Sequence, residues 1–90
     1  MKIVKNAVAG TLESSDVYVE VSPFDTTRIE LESAVSAQFG DAIRESAQQT
    51  LDALGVTGAR VLLKDRGALD CTIRARVETA LRRAGAGGAV

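Results

Sequence analysis

Histidine and tryptophan are absent from this 90-residue chain, and cysteine, proline and methionine occur once each. Without histidine, neither a Cys–His couple nor a Ser–His–Asp triad can form, and the inventory holds no ligand set for zinc. The single cysteine, Cys71, excludes a disulfide within the chain, so nothing points to an oxidising compartment. Tyr18, Phe24 and Phe39 are the only aromatics, and the core must come from Val, Leu, Ile and Ala. Eleven basic and twelve acidic residues leave a net charge of −1. A nucleic-acid module normally shows a basic field and aromatic stacking platforms, and this chain has neither. Long apolar runs are also missing. The start, Met1 to Val8, is interrupted by Lys5 and Asn6, short of the roughly 7–15 apolar residues of an export signal. No stretch approaches the ~20 apolar residues of a membrane span. These absences lead us to expect a cytoplasmic protein with no membrane or nucleic-acid partner.

The residues that are present describe one small α+β unit, since a chain this short holds a single core. Residues 3–9 are a modest strand candidate that ends at Gly10. From Asp16 the alternation is clean, with Val17, Val19 and Val21 on one face and Tyr18, Glu20 and Ser22 on the other. Pro23 and Asp25 end that strand. A third strand sets Ile29 and Leu31 against Arg28, Glu30 and Glu32. The period then changes to that of an amphipathic helix, with Val35, Phe39, Ile43, Ala47, Leu51 and Leu54 as its apolar stripe. Ser33 reads as the N-cap and Gly55 as the stop, while Gly40 weakens the first turns by about 1 kcal/mol. Ala59, Val61 and Leu63 mark a fourth strand, and Asp65-Arg66-Gly67 turns the chain. A last helix carries Leu69, Ile73, Val77, Leu81 and Ala84, with Glu78 and Arg82 spaced for a surface ion pair.

The element order is therefore β-β-β-α-β-α. The helix between the third and fourth strands implies a right-handed crossover joining parallel strands, whereas the first strands, on short links, should pair antiparallel. The expected fold is a two-layer α+β sandwich, a four-stranded mixed sheet with both helices on one face. Residues 1–84 form the domain, and the glycine-rich residues 85–90 are expected to be a flexible tail.

Few residues suggest chemistry. Gly55, Gly58 and Gly67 make no phosphate-binding loop, and Glu13, Asp16 and Asp25 lack the spacing of a Ca²⁺ loop. Asp65 and Asp70 flank a helix start, where carboxylates stabilise exposed amides, and are read as structural. Cys71 lies off the main stripe and is expected to be small and semi-buried rather than a nucleophile. Arg44, Glu45, Arg74, Arg76, Arg82 and Arg83 read as solvated helix faces. A self-contained enzyme is not expected from this inventory. One polar stretch stands out, Gly10-Thr11-Leu12-Glu13-Ser14-Ser15-Asp16, with three hydroxyls and two carboxylates between two apolar runs. Such residues suit a plain turn, and they equally suit a hydroxyl that carries an attached group. A flexible arm on an accessible backbone would reach partner subunits at high effective concentration, and its carrier would need no catalytic residues.

Three blocks carry a resemblance that runs nearly end to end: Ala7-Val8-Ala9-Gly10-Thr11-Leu12-Glu13-Ser14, Gln38-Phe39-Gly40-Asp41-Ala42-Ile43-Arg44, and Asp65-Arg66-Gly67-Ala68-Leu69-Asp70-Cys71-Thr72-Ile73-Arg74-Ala75-Arg76. In these the chain resembles the acyl carrier (gamma) subunits of citrate lyase. The resemblance implies that Ser14 bears 2′-(5″-phosphoribosyl)-3′-dephospho-coenzyme A through a phosphodiester, placed there by a prosthetic-group transferase. It implies that acetyl and citryl thioesters form on that arm. The alpha subunit exchanges acetate for citrate, and the beta subunit releases oxaloacetate. This chain would then supply the arm and a docking surface, expected beside Ser14 and around Asp65 and Arg66. The family commonly has glycine after the modified serine, where this chain has Ser15, so the turn is expected to avoid positive φ there. The carrier of malonate decarboxylase, and an unmodified protein-binding adaptor, are the alternatives.

Overall fold

The computed structural model describes residues 1–33 and 36–85, with Ser36 and Ala37 described by backbone alone. The elements are β1 (Ala7–Ala9), β2 (Val17–Pro23), β3 (Thr27–Ser33), α1 (Ser36–Ala53), β4 (Ala59–Asp65) and α2 (Asp70–Ala84). Alternating valines build β2, and all three of Val17, Val19 and Val21 are buried. They lie in register with Asp65, Leu63 and Val61 of antiparallel β4, so apolar side chains of both strands share one face. On the other side of β4, β3 runs parallel, with Ile29 opposite Val61 and Leu31 opposite Leu63.

The sheet order is β1-β2-β4-β3. Antiparallel pairing of the first strands holds for β1 with β2 and fails for β2 with β3, because β4 lies between them. The chain crosses from β2 to an outer position, leaving a central slot for β4, whose buried Val61 and Leu63 belong in the middle of a sheet. The expected first strand is also shorter. Ile3 makes an isolated bridge with Gly85, and the ladder begins only at Ala7. That bridge ties down the first residue of the expected tail, and residues 86–90 lie outside the described residues.

α2 packs on β1 and β2, α1 packs on β3, and the two helices pack on each other. The helical core residues are Ile43, Ala47 and Leu51 from α1 and Ile73, Val77 and Leu81 from α2. No aromatic joins them: Phe24 and Phe39 are exposed and Tyr18 is half-buried. Phe39 and Leu69, both counted in the apolar stripes, are 54% and 70% exposed. Val35 of the same stripe lies outside the described residues.

Gly55 stops α1 as its sequence position suggests. Its φ of 67° lets its N–H reach the Asp52 carbonyl and the Val56 N–H reach back to Leu51. Ser33, read as the N-cap, is the last residue of β3, and its hydroxyl donates to Asp65 at 3.0 Å. The parallel ladder with β4 extends through Ser33, which lies opposite Asp65. Asp70 sits in the first turn of α2 and Arg82 and Arg83 in the last, each placed to oppose the helix dipole. Glu78 and Arg82 form the expected ion pair at 2.9 Å. Among the described residues, no helix is long and apolar enough to cross a membrane.

Candidate functional site

The loop from Gly10 to Asp16 joins β1 to β2, and its shape follows from one glycine and one carboxylate. Gly10 has φ of 84°, and a Cβ there would stand 1.8 Å from the Val17 carbonyl oxygen. Only glycine lets the two backbone segments come this close. Asp16 closes the loop from the other end. Its carboxylate accepts from the Thr11 N–H at 3.1 Å, the Thr11 hydroxyl at 2.7 Å and the Val17 N–H at 2.7 Å. The Arg76 guanidinium on α2 adds a two-pronged contact, Nε to one oxygen and a terminal nitrogen to the other, both at 3.1 Å. The Thr11 hydroxyl, and after it Arg76, hold the Asp16 carboxyl well below the usual range, at about 2.

Inside this frame the chain makes a tight turn. The Asp16 N–H donates to the Glu13 carbonyl at 3.2 Å, leaving Ser14 and Ser15 as the two corner residues. Ser15 has φ of 66° and is the one non-glycine with positive φ among the described residues. A positive φ at the third position alone is the sign pattern of a type II turn. The expectation that Ser15 would avoid this region is therefore overturned. Its N–H donates to the Arg66 carbonyl at 2.8 Å while the Arg66 N–H donates to the Asp16 carbonyl at 2.9 Å, and the two bonds hold the residue in place. A left-handed non-glycine residue costs about 1–2 kcal/mol, a strain that glycine at this position would not carry.

The three hydroxyls are thus inequivalent. Thr11 is committed twice, donating to Asp16 and accepting from the Glu13 N–H at 3.2 Å. Ser14 and Ser15 are exposed, and neither hydroxyl has a hydrogen-bond partner among the described residues. Ser14 stands at the first corner of the turn, on conventional backbone, while Ser15 is pinned through its N–H to the neighbouring loop. A reactive group approaching from solvent meets Ser14 with nothing to displace.

The second loop, between β4 and α2, lies alongside. Asp65 is buried at 1% exposure, so it cannot be part of an exposed docking surface as its position in a turn suggested. Its carboxylate accepts from Ser33 and from the N–H groups of Gly67 at 3.2 Å and Ala68 at 3.0 Å, the structural role that the sequence indicates. Arg66 is exposed. Asp70 accepts from Ser46 on α1 and from Arg74 at 2.8 Å, and these two partners lower its pKa. Cys71 is exposed rather than semi-buried, one position past the helix start and turned off the buried stripe. No group of three or more Cys, Asp or Glu able to hold a metal occurs among the described residues.

The residue that sequence reading missed is Arg76. Its charge read as a solvated helix face, yet it reaches Asp16 across sixty positions. No periodicity within α2 separates it from Arg82 or Arg83; only the packing of α2 on β1 and β2 brings it to the loop.

Residues 4–84 match the family model described as malonate decarboxylase delta subunit. The chain is 56% identical over 84 residues to a citrate lyase acyl carrier protein of Haemophilus influenzae, covering 93% of this chain and 88% of the relative. Proteins of the same description from Yersinia enterocolitica and Treponema denticola are 54% and 48% identical, covering 93% of this chain and 89% and 97% of theirs. Among solved structures, a chain of a Pseudomonas malonate decarboxylase hetero-tetramer in complex with malonate superposes with a TM-score of 0.74 at 17% identity. That match covers 94% of this chain and 93% of the other, and is a likeness of fold.

Proposed function

The chain belongs to the citrate lyase acyl carrier proteins, and from that membership we propose that Ser14 is the residue on which it bears its prosthetic group. The protein is a non-catalytic carrier subunit within citrate lyase. The observation that supports Ser14 is the inequality of the three loop hydroxyls: Thr11 is engaged, Ser15 is strained and pinned, and Ser14 is free at the corner. The fit to a bulky phosphodiester-linked group is good on this geometry. The hydroxyl is exposed, no side chain covers it, and the loop is braced by Asp16 and Arg76 so that attachment need not disturb the core.

The group is 2′-(5″-phosphoribosyl)-3′-dephospho-coenzyme A, whose terminal thiol supplies thioester chemistry. The chain's own task is to hold the arm outside the core and present it. Its partners are the alpha (acyl transferase) and beta (citryl lyase) subunits and the transferase that loads Ser14, in the cytoplasm. Residues 1–84 act as the carrier domain. The missing catalytic inventory supports this division of labour, since both reaction centres then lie elsewhere.

The malonate decarboxylase family description and the shared fold favour one second reading, a carrier in that enzyme. Reconstitution separates the two. Modified chain added to carrier-free alpha and beta subunits should restore citrate cleavage and leave carrier-free malonate decarboxylase inactive. The reverse result would assign the chain to malonate decarboxylase, and no rescue of either would leave the adaptor reading.

A further inference from the structure

A shallow, mostly apolar groove of about 380 Å³ opens between the first turns of α1 and α2, lined in part by Phe39, Ile43, Gly67, Leu69 and Ile73. Two large apolar side chains, Phe39 and Leu69, are left more than half exposed here, on a chain that has only three aromatics. Leaving them in water is unfavourable unless something covers them. The chain segment that borders the groove is also bonded through its backbone to the proposed attachment loop. Ser15 donates to the carbonyl of Arg66, and Gly67, the next residue, already lines the groove. Along α2, Leu69 lies seven residues before Arg76, which grips Asp16, a span of about 10 Å at the helical rise.

Charge favours a particular occupant. Arg66, at the junction between loop and groove, donates to the Asp65 carbonyl and has no carboxylate partner among the described residues. Of the two carboxylates of the lining, Asp65 is buried and bonded to Ser33, Gly67 and Ala68, while Asp70 is exposed with its charge paired to Arg74 and a further bond from Ser46. An exposed cation without a carboxylate partner, set in the chain between the lining residues Asp65 and Gly67 of a groove with an exposed phenyl ring and leucine, suits a phosphorylated group that ends in a flat, apolar-faced base.

We propose that this groove seats the adenine of the prosthetic arm, with Phe39 and Leu69 against the base and Arg66 beside its phosphates. The proposal rests on the reading of Ser14 as carrying a phosphoribosyl-dephospho-coenzyme A group. In that group the base is two sugars from the serine phosphate, so the tether is short and even a weak contact is well populated. The thiol, at the far end, stays free to travel to partner subunits. Seating the near half narrows the arm's swing, and orders the arm without binding the acyl group.

The test uses the full-length chain, produced with and without its prosthetic-group transferase, with intact mass read on the same samples. In the modified chain the methyl resonances of Ile43, Leu69 and Ile73 should shift, and the adenine protons should show contacts to the Phe39 ring. Phe39→Ala and Leu69→Ala, both at exposed positions, should return the adenine signals to those of free dephospho-coenzyme A while the mass gain persists. Groove resonances identical in loaded and unloaded chain would overturn the proposal. So would shifts that arise only on adding the alpha or beta subunit, which would make the groove a protein interface. A chain that gains no mass with the transferase present would overturn the reading of Ser14 itself, and the mass identifies that failure separately.

Discussion

Two loops meet at one end of the sheet, each gathered around an aspartate, and the two aspartates hold their loops differently. Asp65 is 1% exposed and accepts from the Ser33 hydroxyl on the neighbouring β3 and from two backbone amides of its own loop, with no charged partner among the described residues. Asp16 keeps 13% of its side chain exposed and adds to Thr11 of its own loop a charged partner, Arg76, from a helix sixty positions away. Asp65 is a fixture of the core edge, and removing it breaks three partly buried hydrogen bonds. Asp16 is a clasp near the surface, and removing it frees the loop that carries Ser14 while leaving the core intact. A carrier benefits from this separation, because its presenting loop can be shaped and loaded without involving the stability of the whole domain.

The largest effect should come from breaking the buried member. Asp65→Ala leaves Ser33, Gly67 and Ala68 without their acceptor and should cost about 3 kcal/mol in chemical denaturation. Asp16→Ala should cost only about 1 kcal/mol, the scale of a partly exposed ion pair with its hydrogen bonds, yet should slow loading of Ser14 several-fold. If Asp16→Ala proved the more destabilising of the two, the distinction between fixture and clasp would fail. A double-mutant cycle of Asp16→Ala with Arg76→Gln should return a coupling of about 0.5–1 kcal/mol.

Acid provides a gentler break of the same clasp. The folded pKa of Asp16, about 2, lies below the ordinary carboxylate value, so its contribution is fully present above pH about 4 and is lost as pH falls through about 2. The Thr11 amide, which donates to this carboxylate, should report the change by shifting its resonance with a midpoint near 2. A midpoint at the ordinary carboxylate value would mean that the clasp is not closed in solution. The smallest effect is expected at the strained corner. Ser15→Gly relieves the positive φ but frees the unfolded chain, for a net gain of about 0.5 kcal/mol in denaturation.

How much of this was legible beforehand differs between local and long-range features. The period-two valines of β2 and the helical spacing of Ile43, Ala47 and Leu51 are local patterns, and they identified element, face and core together. The position of β4 between β2 and β3 was not legible, because a short link between two strands favours pairing and only the assembled sheet shows which slot is central. Phe39 and Leu69 fit the stripes of their helices, yet stay exposed, since periodicity gives a residue's direction around the helix and not how far the neighbouring layer extends. The polar loop was recognisable as a place of interest from its composition. Its internal order, with Thr11 and Asp16 tied to Arg76 and Ser15 held at positive φ, depended on contacts from two other elements. Those contacts are also what distinguish the three hydroxyls.

The central claim is that Ser14, and neither of its neighbours, carries the arm. Intact mass and peptide mapping of the chain produced with its transferase test this most directly. The account predicts one added phosphoribosyl-dephospho-coenzyme A group on the peptide bearing Ser14, absent in Ser14→Ala and retained in Ser15→Ala and Thr11→Ala. A group that persists in Ser14→Ala, or that maps to Ser15, would contradict it.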